Sequence, residues 1–155
     1  MTQITASLVK ELRERTGLGM MECKKALSET DGDLVKAEDL MRIKSGSKAS
    51  KVSGRVAAEG AIAVAISDDM RQGAIVEVNC ETDFVGKDES FLKFANDIAD
   101  IVNKTGESDI AVISEQKLPQ GESVEEVRQA LIMKLGENIS VRRAKKFNAK
   151  GALSS

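Results

Sequence analysis

Residues 74–81 alternate strictly between two sets of side chains, and a helical apolar stripe follows them in residues 91–102. The alternation is typical of a strand with one buried face, and the stripe is typical of an amphipathic helix. An earlier apolar segment, residues 61–66, predicts a partner strand across the polar turn at residues 67–73. Together these patterns predict an antiparallel hairpin with one face covered by a helix. The side chains expected in that core are Ala74, Val76, Val78 and Cys80 of the strand and Phe91, Phe94, Ala95, Ile98 and Val102 of the helix.

The rest of this part of the chain predicts another helix and a third strand. Ser123 and Glu126 have the spacing of a capping box, which opens a helix. Its expected apolar face consists of Val124, Val127, Leu131 and Leu135. Residues 138–147 predict the third strand, and residues 108–121 have no pattern that decides their structure. We interpret the basic side chains of that strand as ion-paired on a solvated face; they are Arg142, Arg143, Lys145 and Lys146.

Residues 1–43 predict a small bundle of three short helices. In the first, Ile4, Leu8 and Leu12 lie four residues apart, and Thr5 is placed to cap it. Gly17 stops that helix. The next two helices have apolar faces made of Cys23, Ala26 and Leu27 in one and Leu34, Ala37, Leu40 and Met41 in the other.

Residues 44–55 read KSGSKASKVSGR, which has four basic residues, four serines and no acid. This composition predicts a flexible, solvated linker. RNA contact is the alternative, although the segment has no aromatic side chain for base stacking. The predicted fold class is therefore α+β, with a helical module at 1–43, a basic linker at 44–55 and an α/β subdomain at 56–147. Residues 148–155 are expected to begin a following region.

Composition excludes several kinds of chemistry. The chain has 155 residues, no histidine and two cysteines, so histidine-dependent triads and the usual zinc sites cannot form within it. We therefore expect no catalytic residue, metal site or cofactor. The net charge of −2 gives no general attraction to nucleic acid or to anionic membranes. Without an export signal or a membrane-spanning stretch, we expect a cytoplasmic protein with reduced, buried thiols.

An aromatic side chain lies in the polar stretch NCETDFVGKD, residues 79–88, of a chain that has only four Phe and neither Tyr nor Trp. One interpretation makes Thr82 or Asp83 a helix cap and places Phe84 in the core. Gly86 interrupts such a helix, however, and Asp88 is itself a good cap for the stripe that follows. We therefore expect Phe84 on a loop, where an aromatic side chain can anchor a partner.

Two longer segments are similar to a known family. LRERTGLGMMECKKAL, residues 12–27, resembles the N-terminal signature of bacterial translation elongation factor Ts, and EVNCETDFV, residues 77–85, resembles the second signature of that family. The resemblance extends through essentially the whole chain, including GENISVRR at residues 136–143. Glu22 stands where the family more often has Asp, which keeps the charge. Family members commonly continue into a second core subdomain and a coiled coil, so the chain resembles the N-terminal portion.

The resemblance implies a nucleotide-exchange factor. Members of the family release GDP from elongation factor Tu, and their fold begins with a ubiquitin-associated-like helical module before an α/β core. The segment that corresponds to Thr82, Asp83, Phe84 and Val85 pushes into the partner and dislodges its magnesium site. The helical module also docks there, and its expected contacts are Lys10, Arg13, Met20 and Met21.

Three points stay open at the level of the sequence. Asp83 has two possible roles, repulsion of the nucleotide phosphates or a hydrogen bond to a shifted helix of the partner. One of Met20 and Met21 can instead belong to the core, with the other as incidental surface. The alternative functions are a fragment that binds elongation factor Tu without exchange and, ranked lower, an RNA-binding module. The expected partner is elongation factor Tu, GDP-bound or nucleotide-free, with no membrane and no direct nucleic acid.

Overall fold

A computed structural model describes residues 2–155 and has an α+β arrangement, as predicted. The described residues form two units, residues 2–53 with 129–136 and residues 54–128 with 137–155. The elements in chain order are α1 (Ala6–Thr16), α2 (Met20–Glu29), α3 (Leu34–Val52), β1 (Glu59–Ile66), β2 (Gln72–Cys80), α4 (Asp83–Gly86), α5 (Glu89–Thr105), α6 (Ile110–Glu115), α7 (Val124–Leu135) and β3 (Ser140–Asn148).

The first unit contains the three predicted helices. Thr5 caps α1 by accepting a hydrogen bond from the Leu8 N–H, and Gly17 ends that helix at φ 69°. Asp33 caps α3 in the same way. The likeness of the unit to ubiquitin-associated modules stays a prediction. Its core consists of Val9, Leu12, Leu18, Cys23, Ala26, Leu27, Ala37 and Met41.

The prediction of a flexible linker at 44–55 is wrong for residues 44–52, because α3 continues to Val52. Ser45, Ala49 and Val52 are buried, and their spacing of four and three residues puts them on one face of the helix. Small side chains form this stripe, which explains why the composition resembled that of a linker. The division between the units falls after Ser53.

The second unit is built on a three-stranded antiparallel sheet in the order β1-β2-β3. The alternation in β2 predicted its buried face correctly, since Ala74, Val76, Val78 and Cys80 are all buried. Helix α5 packs on both hairpin strands and buries the predicted apolar stripe. Asp88 caps α5, as predicted, and Gly106 ends it at φ 72°.

The opposite face of the sheet carries exposed apolar side chains and ion pairs. A register shift between Glu77 and Val78 makes Arg142 an extra residue of β3. Arg142 and Arg143 therefore both reach Glu77, with N–O distances of 3.6 and 2.8 Å. The ion pairing expected for this strand is confirmed for these two arginines. The exposed apolar side chains of the hairpin and β3 are Ile62, Val64, Ile75 and Phe147.

The segments that the sequence left undecided are short and ordered. Residues 110–115 form α6, and Leu118 and Ile113 are buried.

The predicted capping box of α7 is present, because the Ser123 N–H donates to the Glu126 carboxylate and the Glu126 N–H donates to Ser123 Oγ. After β3, the backbone N–H of Leu153 donates to the Met70 carbonyl. Whether residues 148–155 begin a further region stays a prediction.

Candidate functional site

Phe84 lies on a single helical turn, α4, between β2 and α5. Thr82 caps the turn, and its Oγ1 accepts a hydrogen bond from the Val85 N–H at 3.5 Å. The ring of Phe84 is 84% exposed, so the expectation that it lies outside the core is confirmed. The expected loop is corrected to a helical turn, because Thr82 and Asp88 are two consecutive N-caps and α4 ends before the second. We call residues 82–86 the Phe84 turn.

The other predicted members of this segment have different environments. Asp83 is exposed and its carboxylate lies 3.5 Å from the Lys87 ammonium, which is also exposed. Thr82 is half-buried, and Val85 is only 8% exposed. Val85 therefore faces the core of its own chain, and the outward-facing side chains of the turn are Asp83 and Phe84.

A carboxylate distant in sequence holds the start of the turn. Glu137 Oε1 accepts a hydrogen bond from the Thr82 N–H at 3.0 Å, and Oε2 accepts one from the Thr82 hydroxyl at 2.7 Å. On the neighbouring residues, Glu81 accepts a hydrogen bond from the Asn138 N–H at 3.0 Å. Sequence reasoning missed Glu137, and the only signal available was its place within the GENISVRR stretch.

Close packing against the hairpin supports the turn from beneath. A Cβ added at Gly86 would lie 3.3 Å from the Gly60 carbonyl oxygen, so glycine permits this approach of α4 to β1. The Cys80 thiol donates to the Thr82 carbonyl at 3.1 Å. Burial raises the pKa of that thiol to about 11, and the negative charges of Glu137 and Glu59 add to the increase. Both cysteines are free and buried, as expected.

The predicted contacts of the helical unit are all exposed. Lys10 and Arg13 lie on α1, where Lys10 is 3.8 Å from Glu14. Met20 and Met21 begin α2 and are 54% and 73% exposed, so neither belongs to the core. Met21 borders a groove of about 560 Å³ whose walls also include Met41 and Met133.

The described residues contain neither a metal centre nor a membrane-spanning helix. Within residues 2–155, no group of three or more Cys, Asp or Glu side chains is arranged to hold a metal ion. No helix in the same range is both long enough and apolar enough to cross a bilayer. The Phe84 turn presents an exposed aromatic side chain on a supported turn, which is suited to contact with another macromolecule.

Comparison with known proteins shows which proteins the chain is similar to. Residues 81–155 match the family model described as Elongation factor TS. Elongation factor Ts of Nitrosomonas eutropha is 60% identical over 154 residues, which are 99% of this chain and 52% of that relative. Elongation factor Ts of Nitrosospira multiformis is 57% identical over 152 residues, which are 98% of this chain and 50% of that relative. Residues 81–155 match the elongation factor Ts family, and the chain as a whole is similar to elongation factor Ts.

The elongation factor Ts relationship confirms the resemblance seen in the sequence. The chain spans about half the length of the curated relatives it matches. The part matched by the elongation factor Ts family model contains Glu81, the Phe84 turn and Glu137. Residues 10–21 of the helical unit lie outside that match and are covered by the longer alignments to the two relatives.

Proposed function

We propose that the chain acts in translation elongation by binding elongation factor Tu and promoting the release of its GDP. The match of residues 81–155 to the elongation factor Ts family and the similarity to elongation factor Ts of Nitrosomonas eutropha support this proposal. The proposal depends on one observation: Phe84 is exposed on a turn whose start and underside are held by the rest of the unit. A rigid, exposed aromatic side chain is a preferred anchor for a partner's pocket.

The proposed mechanism is differential binding. Burying one Phe side chain in a preformed pocket contributes about 2–3 kcal/mol, roughly 100-fold in an equilibrium constant. Insertion of Phe84 can therefore offset distortion of the partner's magnesium site. Magnesium bridges the nucleotide phosphates and protein ligands, so its displacement weakens the hold on GDP. Asp83, beside Phe84, brings a carboxylate towards the same region.

The helical unit adds a second contact in this proposal. Lys10, Arg13, Met20 and Met21 are assigned to docking on the nucleotide-binding domain of elongation factor Tu. Exposure of both methionines supports the assignment, because the flexible thioether side chain adapts to irregular apolar pockets.

The reaction requires no covalent step, so the proposed activity is that of an exchange factor and not of an enzyme. Thermodynamic linkage makes the effect reciprocal: if the chain weakens GDP binding, GDP weakens binding of the chain by the same factor. Incoming nucleotide then displaces the factor and completes the exchange. The proposal places this work in the cytoplasm, with no cofactor and no membrane.

Release of a fluorescent GDP from elongation factor Tu tests the proposal. We expect Phe84→Ala to slow factor-stimulated release by about 100-fold, since the substitution removes the burial energy of the ring. Phe147→Ala is the matched control, because Phe147 is also exposed but lies on β3. Equal release rates for Phe84→Ala and the unsubstituted chain, with unchanged melting temperatures, would contradict the proposed role of Phe84.

Binding without exchange is the second candidate, because the chain spans about half the length of its relatives. A chain that is captured by elongation factor Tu but leaves the GDP release rate unchanged would select this candidate. Stimulated release by the chain alone would reject it.

A further inference from the structure

We propose that Glu137 is the positioning residue of the Phe84 turn, which it orients by accepting two hydrogen bonds from the cap residue Thr82. The proposal rests on the proposed function, because it concerns how the same turn is held for insertion. Glu137 lies between α7 and β3 and is separated from Thr82 by 55 residues. Its half-buried carboxylate is the acceptor of both hydrogen bonds.

Glu137 does the work that a local residue does in a capping box. In that motif the cap hydroxyl accepts a hydrogen bond from the N–H of the third helical residue, and a Glu at that third position accepts one from the cap N–H. In α4 the cap is Thr82 and the third position is Val85, whose side chain is buried and has no hydrogen-bond acceptor. Glu137 supplies the missing carboxylate, and position 85 is free to pack into the core.

The geometry also orients the cap hydroxyl. Thr82 Oγ1 donates its hydrogen to Glu137 Oε2 at 2.7 Å, which turns a lone pair of that oxygen towards the Val85 N–H. The two hydrogen bonds to one carboxylate fix both the backbone and the side chain of Thr82. A single helical turn has too few internal hydrogen bonds to be stable by itself, so this external support decides its conformation.

A second pair of contacts holds the same junction. Glu81 accepts a hydrogen bond from the Asn138 N–H, and the Asn138 side-chain amide donates to the Arg55 carbonyl at 2.8 Å. The Arg55 guanidinium in turn lies 3.7 Å from Glu81. Residues 81–82 and 137–138 thus exchange hydrogen bonds in both directions, which fixes the position of β3 against the start of the turn.

The consequence for activity is preorganisation. A turn that is ordered before binding does not have to lose conformational freedom when Phe84 enters a pocket. Loss of the Glu137 carboxylate leaves the ring in place but allows the turn to sample other conformations. We expect Glu137→Ala to slow factor-stimulated GDP release by about tenfold, because loss of capping hydrogen bonds shifts a conformational equilibrium by up to roughly that factor.

A double-mutant cycle separates positioning from general stability. Glu137→Ala should slow release from elongation factor Tu when Phe84 is present and should have no further effect in the Phe84→Ala background. Glu126→Ala is the matched control, because Glu126 completes the capping box of α7 and does not contact the Phe84 turn. Glu137→Gln should restore part of the rate, since the amide oxygen can still accept from the Thr82 N–H. Equal slowing by Glu137→Ala in both backgrounds would overturn the proposal.

Amide hydrogen exchange in the free chain tests the positioning role of Glu137 independently of the proposed function. We expect Glu137→Ala to accelerate exchange of the Thr82 and Val85 amides by about tenfold and Glu126→Ala to leave them unchanged. If Phe84→Ala leaves GDP release unaltered while this acceleration is observed, the proposed function fails and the positioning role stands. Unaltered amide exchange in Glu137→Ala would overturn the positioning role directly.

Discussion

At residue 82 the chain uses one hydroxyl group in two hydrogen bonds, as donor to Glu137 and as acceptor from Val85. The neighbouring residues of the turn have different roles. Val85 packs inward, Gly86 permits close approach to β1, and Phe84 is left to point outward. An exposed aromatic side chain is therefore supported by residues that pack against or hydrogen-bond to its own unit.

The buried thiol under this turn predicts a pH dependence of stability. Because burial raises the pKa of Cys80 from 9.0 to about 11, the folded state keeps the thiol protonated at a pH where the unfolded state has lost the proton. The stabilisation is complete below pH 9 and is lost as the pH rises towards 11. We expect the free energy of unfolding to fall by about 1–3 kcal/mol over this interval because of Cys80.

Urea unfolding followed by circular dichroism measures this effect, since the chain has neither Trp nor Tyr. The comparison is with Cys80→Ala, which should lack this part of the pH dependence. Identical slopes for the two chains would show that the thiol does not contribute.

At the scale of elements, the length of α3 is the principal difference from expectation. A helix that continues to Val52 makes Ser45, Ala49 and Val52 part of a buried face. Among the basic residues of the same segment, Lys51 is exposed, and Lys44 is half-buried and paired at 2.9 Å with Glu29. The segment is therefore an amphipathic helix end made from small residues, whose burial depends on close approach of its neighbours.

Two adjacent substitutions test this account of α3. Ala49 is 4% exposed and Ser50 is exposed, so a lysine should be costly only at the first position. We expect Ala49→Lys to lower the free energy of unfolding by about 2 kcal/mol or more and Ser50→Lys to change it by less than about 0.5 kcal/mol. Thermal unfolding followed by circular dichroism compares the two. Equal, small effects would favour the flexible linker instead.

At the scale of the whole molecule, the chain has two units with separate sets of candidate contacts. The helical unit carries Lys10, Arg13, Met20 and Met21, and the α/β unit carries the Phe84 turn. The basic side chains of β3 are partly neutralised, because Arg142 and Arg143 share Glu77. With a net charge of −2, the molecule as a whole has little attraction for a polyanion.

This charge distribution predicts weak binding to RNA. We expect no measurable binding of poly(U) at about 150 mM salt, with any association at low salt disappearing steeply as salt is added. Filter binding across a salt series checks the prediction, and a basic RNA-binding protein serves as the positive control. Micromolar affinity at the higher salt would restore the RNA-binding alternative.

Features encoded within a few residues could be predicted from the sequence. The alternation of β2, the stripe of α5, the caps Thr5 and Asp88 and the exposure of Phe84 all follow from local periodicity or local hydrogen bonding. The family could be recognised for a related reason, since its signatures are continuous stretches. Each of these features depends on residues that are close neighbours along the chain, and the sequence shows such neighbours directly.

The tertiary structure alone decided the full length of α3, the inward direction of Val85, the extra residue in β3 and the contact of Glu137 with Thr82. These features depend on groups that are close in space but far apart along the chain. A serine-rich segment becomes helical where neighbouring elements cover it, and a distant carboxylate completes a cap where two strand ends meet. No periodic pattern in the sequence indicates such contacts, because their energy comes from packing between secondary-structure elements and not from the conformation of a single element.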